Sequence, residues 1–138
     1  MIWTIILAIV GYFFLKFFIS LSKDKDDLSN QSLEEKFSMI ISLINNEAYD
    51  GHGSISKLNE REINLYNEGA NQIIKFEYST GILTITWKYK YFQKEVVHKR
   101  YYDQVRNISL FEQMDIGNSI IEEMRKVVND HKFKTIGI

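Results

Sequence analysis

From Ile2 to Leu21 the chain reads IWTIILAIVGYFFLKFFISL, an apolar run broken by a single charge, Lys16. About 20 such residues, rising about 1.5 Å each, span the roughly 30 Å hydrocarbon core of a bilayer. Aliphatic and aromatic side chains surround this helix on every side, whereas a helix of a soluble core would carry one apolar stripe. Residues 1–22 therefore read as a transmembrane anchor, with membrane lipid as the partner of residues 2–21. Trp3 suits one membrane interface, and Lys16 can extend its stem toward the other, where Lys23 and Lys25 follow. Tyr12, Phe13, Phe17 and Phe18 would then meet acyl chains or another membrane protein. A cleaved signal peptide would want basic residues ahead of the run and small ones after it. Here Met1 precedes the run and FFISLSK closes it, so retention is expected. Lysines on the C-terminal flank place the soluble domain in the cytoplasm by the positive-inside tendency.

What remains is enough chain for one compact core. Residues 23–31 are polar, charged and aperiodic, and read as a short tether that leaves 32–138 as a soluble domain. Ser32 and Glu35 have capping-box spacing, and Leu33, Phe37, Ile40, Ile41 and Ile44 follow at helical intervals, so a first helix is expected over 32–48. The run Asp50, Gly51, His52, Gly53, Ser54 ends it in a loop. Ser109 and Glu112 repeat the cap ahead of Leu110, Met114, Gly117, Ile121, Met124 and Val128, which form the stripe of a second amphipathic helix. The tail HKFKTIGI is expected to fray or to add a short edge strand.

Between the helices, from residue 61, the hydrophobic period becomes two. A two-residue turn at Thr80 and Gly81 sets Tyr78 opposite Leu83, Phe76 opposite Ile85 and Ile74 opposite Trp87. Closing the preceding hairpin through residues 68–71 sets Leu65 opposite Ile74 and Ile63 opposite Phe76, on the same apolar face. A last turn at Gln93 and Lys94 sets Val96 beside Tyr91, His98 beside Tyr89, Arg100 beside Trp87 and Tyr102 beside Ile85. The fold expected is α+β, a two-layer sandwich of a four-stranded antiparallel meander flanked by two helices, in the order α-β-β-β-β-α.

Seventeen basic against eighteen acidic residues leave no global field to draw the chain to a charged partner. Without cysteine there is no disulfide framework and no thiol nucleophile. His52, His98 and His131 fall on a loop, a strand and a helix end without metal-ligand spacing, and no nucleophile elbow, P-loop or dinucleotide fingerprint occurs. No catalytic residue, metal or cofactor is therefore expected. Two weaker features stand out. Asp50 and His52 on one loop could exchange a proton, and His98 could mark a polar pocket at the sheet edge. Arg100, inward and opposite Trp87, could stack on it but would leave a buried charge without an acidic partner. Glu122 and Glu123 read as a solvated helix face. Basic residues crowd between 88 and 106, interleaved with tyrosines. The register puts Lys88, Lys90, Lys99 and Tyr101 on the outer sheet face and Tyr89, Tyr91 and Tyr102 on the inner one. That division weighs against nucleic acid and leaves an outer face suited to anionic lipid or protein.

The expectation is a membrane-tethered, non-enzymatic interaction module with a protein partner: an accessory subunit, an adaptor, or an inhibitor of the immunity type in a larger assembly. The alternatives are a membrane-surface enzyme, working through the loop of Asp50 and His52 or a pocket near His98, and a binder of anionic lipid or nucleic acid through the basic outer sheet face.

Overall fold

The structure, a computed structural model, describes the backbone of residues 1–30 and 32–136 and the side chains of residues 1–19 and 32–134. Helix α1 (Ile2–Asn30) opens the chain. Its window Ile2–Ile19 has a mean hydropathy of 2.2 and is 0% buried within the protein, so this helix is long and apolar enough to cross a membrane. The backbone stays helical to Asn30, through most of the stretch read as a tether, and residue 31 lies outside the described residues. The side chains of Lys23 and Lys25 lie outside the described residues.

Where one helix was expected over 32–48, two follow, α2 (Leu33–Lys36) and α3 (Ser38–Tyr49). The Ser32 cap forms as its spacing implies, with Oγ accepting from Glu35 N at 3.2 Å. The break is at Phe37, whose φ of −108° and ψ of 28° leave the helical region. The kink tucks the Phe37 ring edge-on against Tyr78, with centroids 5.4 Å apart. This packing outweighs continuation of a short helix whose own propensity is marginal. Asp50, left-handed at φ 51°, ends α3.

A five-stranded antiparallel meander then runs β1 (Ser54–Asn59), β2 (Glu62–Tyr66), β3 (Gln72–Ser79), β4 (Ile82–Tyr91) and β5 (Lys94–Tyr102) in spatial order. The two central pairings have the register read from the turns: Leu65 faces Ile74, Ile63 faces Phe76, and Phe76 faces Ile85. Two strand expectations are corrected. Four strands were expected, but β1 is an additional edge strand. Its sequence SISKLN spaces Ile55 and Leu58 three apart, a bulge interrupts its ladder between Lys57 and Asn59, and its side chains are almost all exposed. Backbone pairing to β2 holds it, so no alternation was needed. The last hairpin turns at Phe92 and Gln93, not at Gln93 and Lys94, and both loop residues have positive φ, 51° and 63°. Such a turn matches strand twist. The register moves by two residues, to Tyr89 opposite Val96, Trp87 opposite His98, Ile85 opposite Arg100 and Leu83 opposite Tyr102. A slip of two keeps every side chain on its face.

Helix α4 (Leu110–Ile136) is capped by Ser109, whose Oγ accepts from Glu112 N at 3.1 Å. It runs through most of the tail for which an edge strand or fraying was expected. α3 and α4 cover one sheet face, and Phe37, Ile40, Ile44 and Ile120 meet Leu65, Phe76, Tyr78, Leu83 and Ile85 there, all fully buried. Gly117 sets how close the two helices come, because a Cβ there would lie 2.7 Å from Leu43 Cδ1. Among the described residues nothing covers the other face of the sheet, the usual arrangement of an antiparallel sheet with alternating strands.

Candidate functional site

The outer sheet face gathers the basic residues singled out in the sequence. Ladder parity puts Lys88 and Lys90 of β4 beside Lys99 and Tyr101 of β5, all exposed. Lys99 Nζ lies 5.5 Å from the Tyr101 ring centroid. The same face carries acids. Lys75 sits 3.6 Å from Glu62 and 3.8 Å from Glu77, and Lys90 is directly opposite Glu95. These carboxylates leave little net charge, which is poor for a polyanion and acceptable for a mixed protein surface. Half-exposed Val97 and Ile73 flank Lys88 across the ladder, so two apolar side chains border the basic ones on this face.

A polar cluster forms where β5 meets α4. Arg100 projects inward from β5, and its guanidinium donates to Glu123 of α4. Glu123, read from sequence as solvated, is thus the acidic partner that Arg100 lacked. The Arg100 guanidinium also lies 5.4 Å from the Tyr102 ring centroid, so its ring partner is Tyr102 and not Trp87. His98 Nε2 is 3.8 Å from Glu123 Oε2. Those two atoms and the Tyr102 hydroxyl are buried without a hydrogen-bond partner. Burial, followed by the Glu123 charge, raises the Tyr102 phenol above its usual value, against the opposing pull of Arg100. An imidazole, a carboxylate and a phenol therefore converge with unused hydrogen-bonding capacity. The signal for Glu123 was present in the sequence: it interrupts the stripe Ile116, Ile120, Val127 at helical spacing, as Arg100 interrupts the inward face of β5.

A third feature is a cleft of about 400 Å³ between the end of α3, the sheet and α4. Trp87, Tyr89 and Met124 line it, and Gln72 ties several of its polar groups together. Trp87 Nε1 donates to Gln72 Oε1 at 2.8 Å, Gln72 Nε2 donates to Ala48 O at 2.9 Å, and the Tyr49 hydroxyl donates to Gln72 O at 2.5 Å. At its rim Arg125 grips Glu47 through two bonds of 2.8 and 2.9 Å. The Arg125 hydrogen bond holds the Glu47 carboxyl below its usual range.

Asp50 and His52 are both exposed, and among the described residues no hydrogen bond joins their side chains. Their loop has the bonding of a helix ending, with His52 N donating to Tyr49 O at 2.9 Å and Gly53 N to Asn45 Oδ1 at 2.8 Å. His131 Nε2 donates to Lys94 O at 2.8 Å. Among the described residues no three His, Cys, Asp or Glu side chains group to hold a metal ion. On α1, Trp3, Tyr12, Phe13, Lys16, Phe17 and Phe18 are all exposed, and the aromatic rings meet only within the helix. No protein-family model, curated protein or solved structure matches the chain. Geometry alone carries the functional reading.

Proposed function

We propose that the chain is a membrane-tethered interaction module, non-enzymatic, which holds a small α+β domain at the cytoplasmic surface and presents it to a protein partner. The carrying observation is that the apolar window of α1 is 0% buried. Eighteen apolar-rich residues that none of the described residues covers call for a bilayer. The uncovered outer face of β4 and β5 supports the partner role. Tyr101 supplies a rigid amphipathic ring, Val97 and Ile73 apolar contact area, and Lys88, Lys90 and Lys99 a polar surround. The same anchor face of Tyr12, Phe13, Phe17 and Phe18 can meet a second membrane protein. Crosslinking in native membranes, then purification from detergent extract, tests this. A discrete partner should co-purify and be lost with Val97→Asp or Tyr101→Asp. A chain that crosslinks to nothing under conditions that preserve the domain contradicts it.

The unsatisfied atoms of His98, Tyr102 and Glu123 favour a second reading, an enzyme acting at the membrane surface through that cluster. His98→Ala and Glu123→Gln chains that fully complement a deletion would remove it.

A further inference from the structure

β5 is the last strand of the sheet, so one of its edges has no strand beside it. The alternation of an antiparallel ladder fixes which residues face that edge. Lys90 N donates to Asn71 O at 2.8 Å, which turns the backbone groups of even-numbered β4 residues toward β3 and those of odd-numbered ones toward β5. Tyr91, Tyr89, Trp87 and Ile85 therefore bond to Lys94, Val96, His98 and Arg100. The N–H and C=O groups of Glu95, Val97, Lys99 and Tyr101 point the other way, and among the described residues no backbone group meets them. A free edge is a template for a further strand, and folds commonly blunt it. At the opposite edge β1 is six residues long and bulged between Lys57 and Asn59. β5 has nine residues and no proline, and its pairing to β4 is unbroken from Lys94 to Tyr102. One edge is blunted and the other is left ready to pair.

The order of side chains along β5 names the occupant. Only residues that face the edge can bond across it, so a second β5 running antiparallel sets odd-numbered residues against odd-numbered ones. With Val97 opposite Val97 of a second copy, Glu95 meets Lys99 and Lys99 meets Glu95, two opposite-charge pairs about an apolar centre. The neighbouring registers lose both pairs. Centring on His98 sets Glu95 against Tyr101 and Lys99 against Val97, and centring on Val96 sets Glu95 against Val97 and Lys99 against Gln93. Glu95 also has Lys90 directly opposite on its own sheet, so the pairing extends a row of alternating charge. On the inner side Lys94 meets Arg100, whose charge Glu123 already answers. The symmetry suits a shared membrane as well. A twofold axis at such a pair stands normal to the sheet, so the anchors of both copies leave on the same side.

We propose that two copies of the chain pair antiparallel through the free edge of β5, centred on Val97, and join their five-stranded sheets into one continuous sheet. Backbone groups at the edge make the contact, and the Glu95 and Lys99 pairs set its register. The pairing goes beyond the partner reading and does not depend on it, and it doubles the outer face that a partner would meet.

The chain contains no cysteine, so single thiols can be placed cleanly. Full-length Val97→Cys, purified in detergent, is treated with a short bifunctional thiol reagent matched to the roughly 5.5 Å between the Cα atoms of a hydrogen-bonded antiparallel pair. Ile73→Cys, exposed on the same face but two strands inward, is the reference. Val97→Cys is expected to give several-fold more covalent dimer. Adding Glu95→Lys or Lys99→Glu, both at exposed positions and each checked for an unchanged thermal melt, should lower that yield several-fold. Mixed together, the two variants should crosslink to each other at the original yield, because each supplies the charge that the other lacks. Equal dimer from Val97→Cys and Ile73→Cys, as contact through α1 or random collision would give, overturns the pairing. A mixture that stays uncrosslinked overturns the register, and the proposal with it. In native membranes, a Val97→Cys adduct with a different protein in place of the dimer would give this edge to another chain and likewise overturn it.

Discussion

Replacing Tyr49 with phenylalanine removes one hydroxyl from the joint between α3 and the sheet. Tyr49 is 6% exposed, and its hydroxyl donates to Gln72 O at 2.5 Å, with Leu65 O 3.4 Å away. A hydrogen bond of this kind contributes about 1 kcal/mol net, so near pH 8 the variant should be less stable by about that amount. The pH dependence carries the sharper test. Burial pushes the Tyr49 phenol up from 10.0 to about 12, since a phenolate there would lose water and face carbonyl oxygens. A value raised in the folded state means stability that is complete below pH 10 and lost as pH rises through about 12. Linkage then removes about 1.3 kcal/mol from the wild type by pH 11 and nothing from the variant, so the two stability curves converge and meet near pH 11. Urea unfolding in detergent, followed by the fluorescence of buried Trp87 in a Trp3→Phe background, gives both curves. Tyr102, also raised by burial, is common to both chains and cancels in the difference. A stability difference that stays constant from pH 8 to 11 would refute the reasoning.

Glu47→Gln breaks the two-bond grip of Arg125 across α3 and α4. Because the Glu47 carboxyl is held low, the stability it contributes is present above pH 4.5 and lost as pH falls through its folded value, so the variant should show a shallower acid limb in thermal melts. Gly53→Ala should destabilise by about 1–3 kcal/mol in urea, since its Cβ would stand 2.5 Å from Asn45 Oδ1 and 2.8 Å from Tyr49 Cδ2. Arg100→Ala should destabilise by about 1–2 kcal/mol and more than Glu123→Gln, because it strands a charge whose Oε2 is buried while the more exposed Arg100 can turn to water. Equal losses in the two variants would show that the burial of Glu123 does not decide the pair.

Much of this architecture was legible in the sequence where side-chain period and turn chemistry agree. Thr80 and Gly81 fixed the central hairpin, and Ile63, Leu65, Ile74, Phe76, Ile85 and Trp87 fell on one face as their alternation required. What escaped is set by backbone bonding or by tertiary contact, neither of which leaves a local side-chain signature. β1 is held by its ladder to β2, with Ile55 and Leu58 out of phase. The last hairpin turns on Phe92 at positive φ, a conformation that nothing in phenylalanine favours. The break at Phe37 arises from a tertiary contact with Tyr78. The outer-face residues Lys88, Lys90, Lys99 and Tyr101 were readable because the slip of two preserved parity. The Arg100–Glu123 pair was half readable: each residue was a misfit on an apolar face, and only the fold shows that they answer one another.

On the proposed reading, α1 inserts across a bilayer and keeps the domain at its surface. Washing native membranes with alkaline carbonate and high salt, then extracting with detergent, tests it most directly. The full chain should stay with the membrane through both washes and be released only by detergent. A chain that carbonate or salt strips into the supernatant would contradict it.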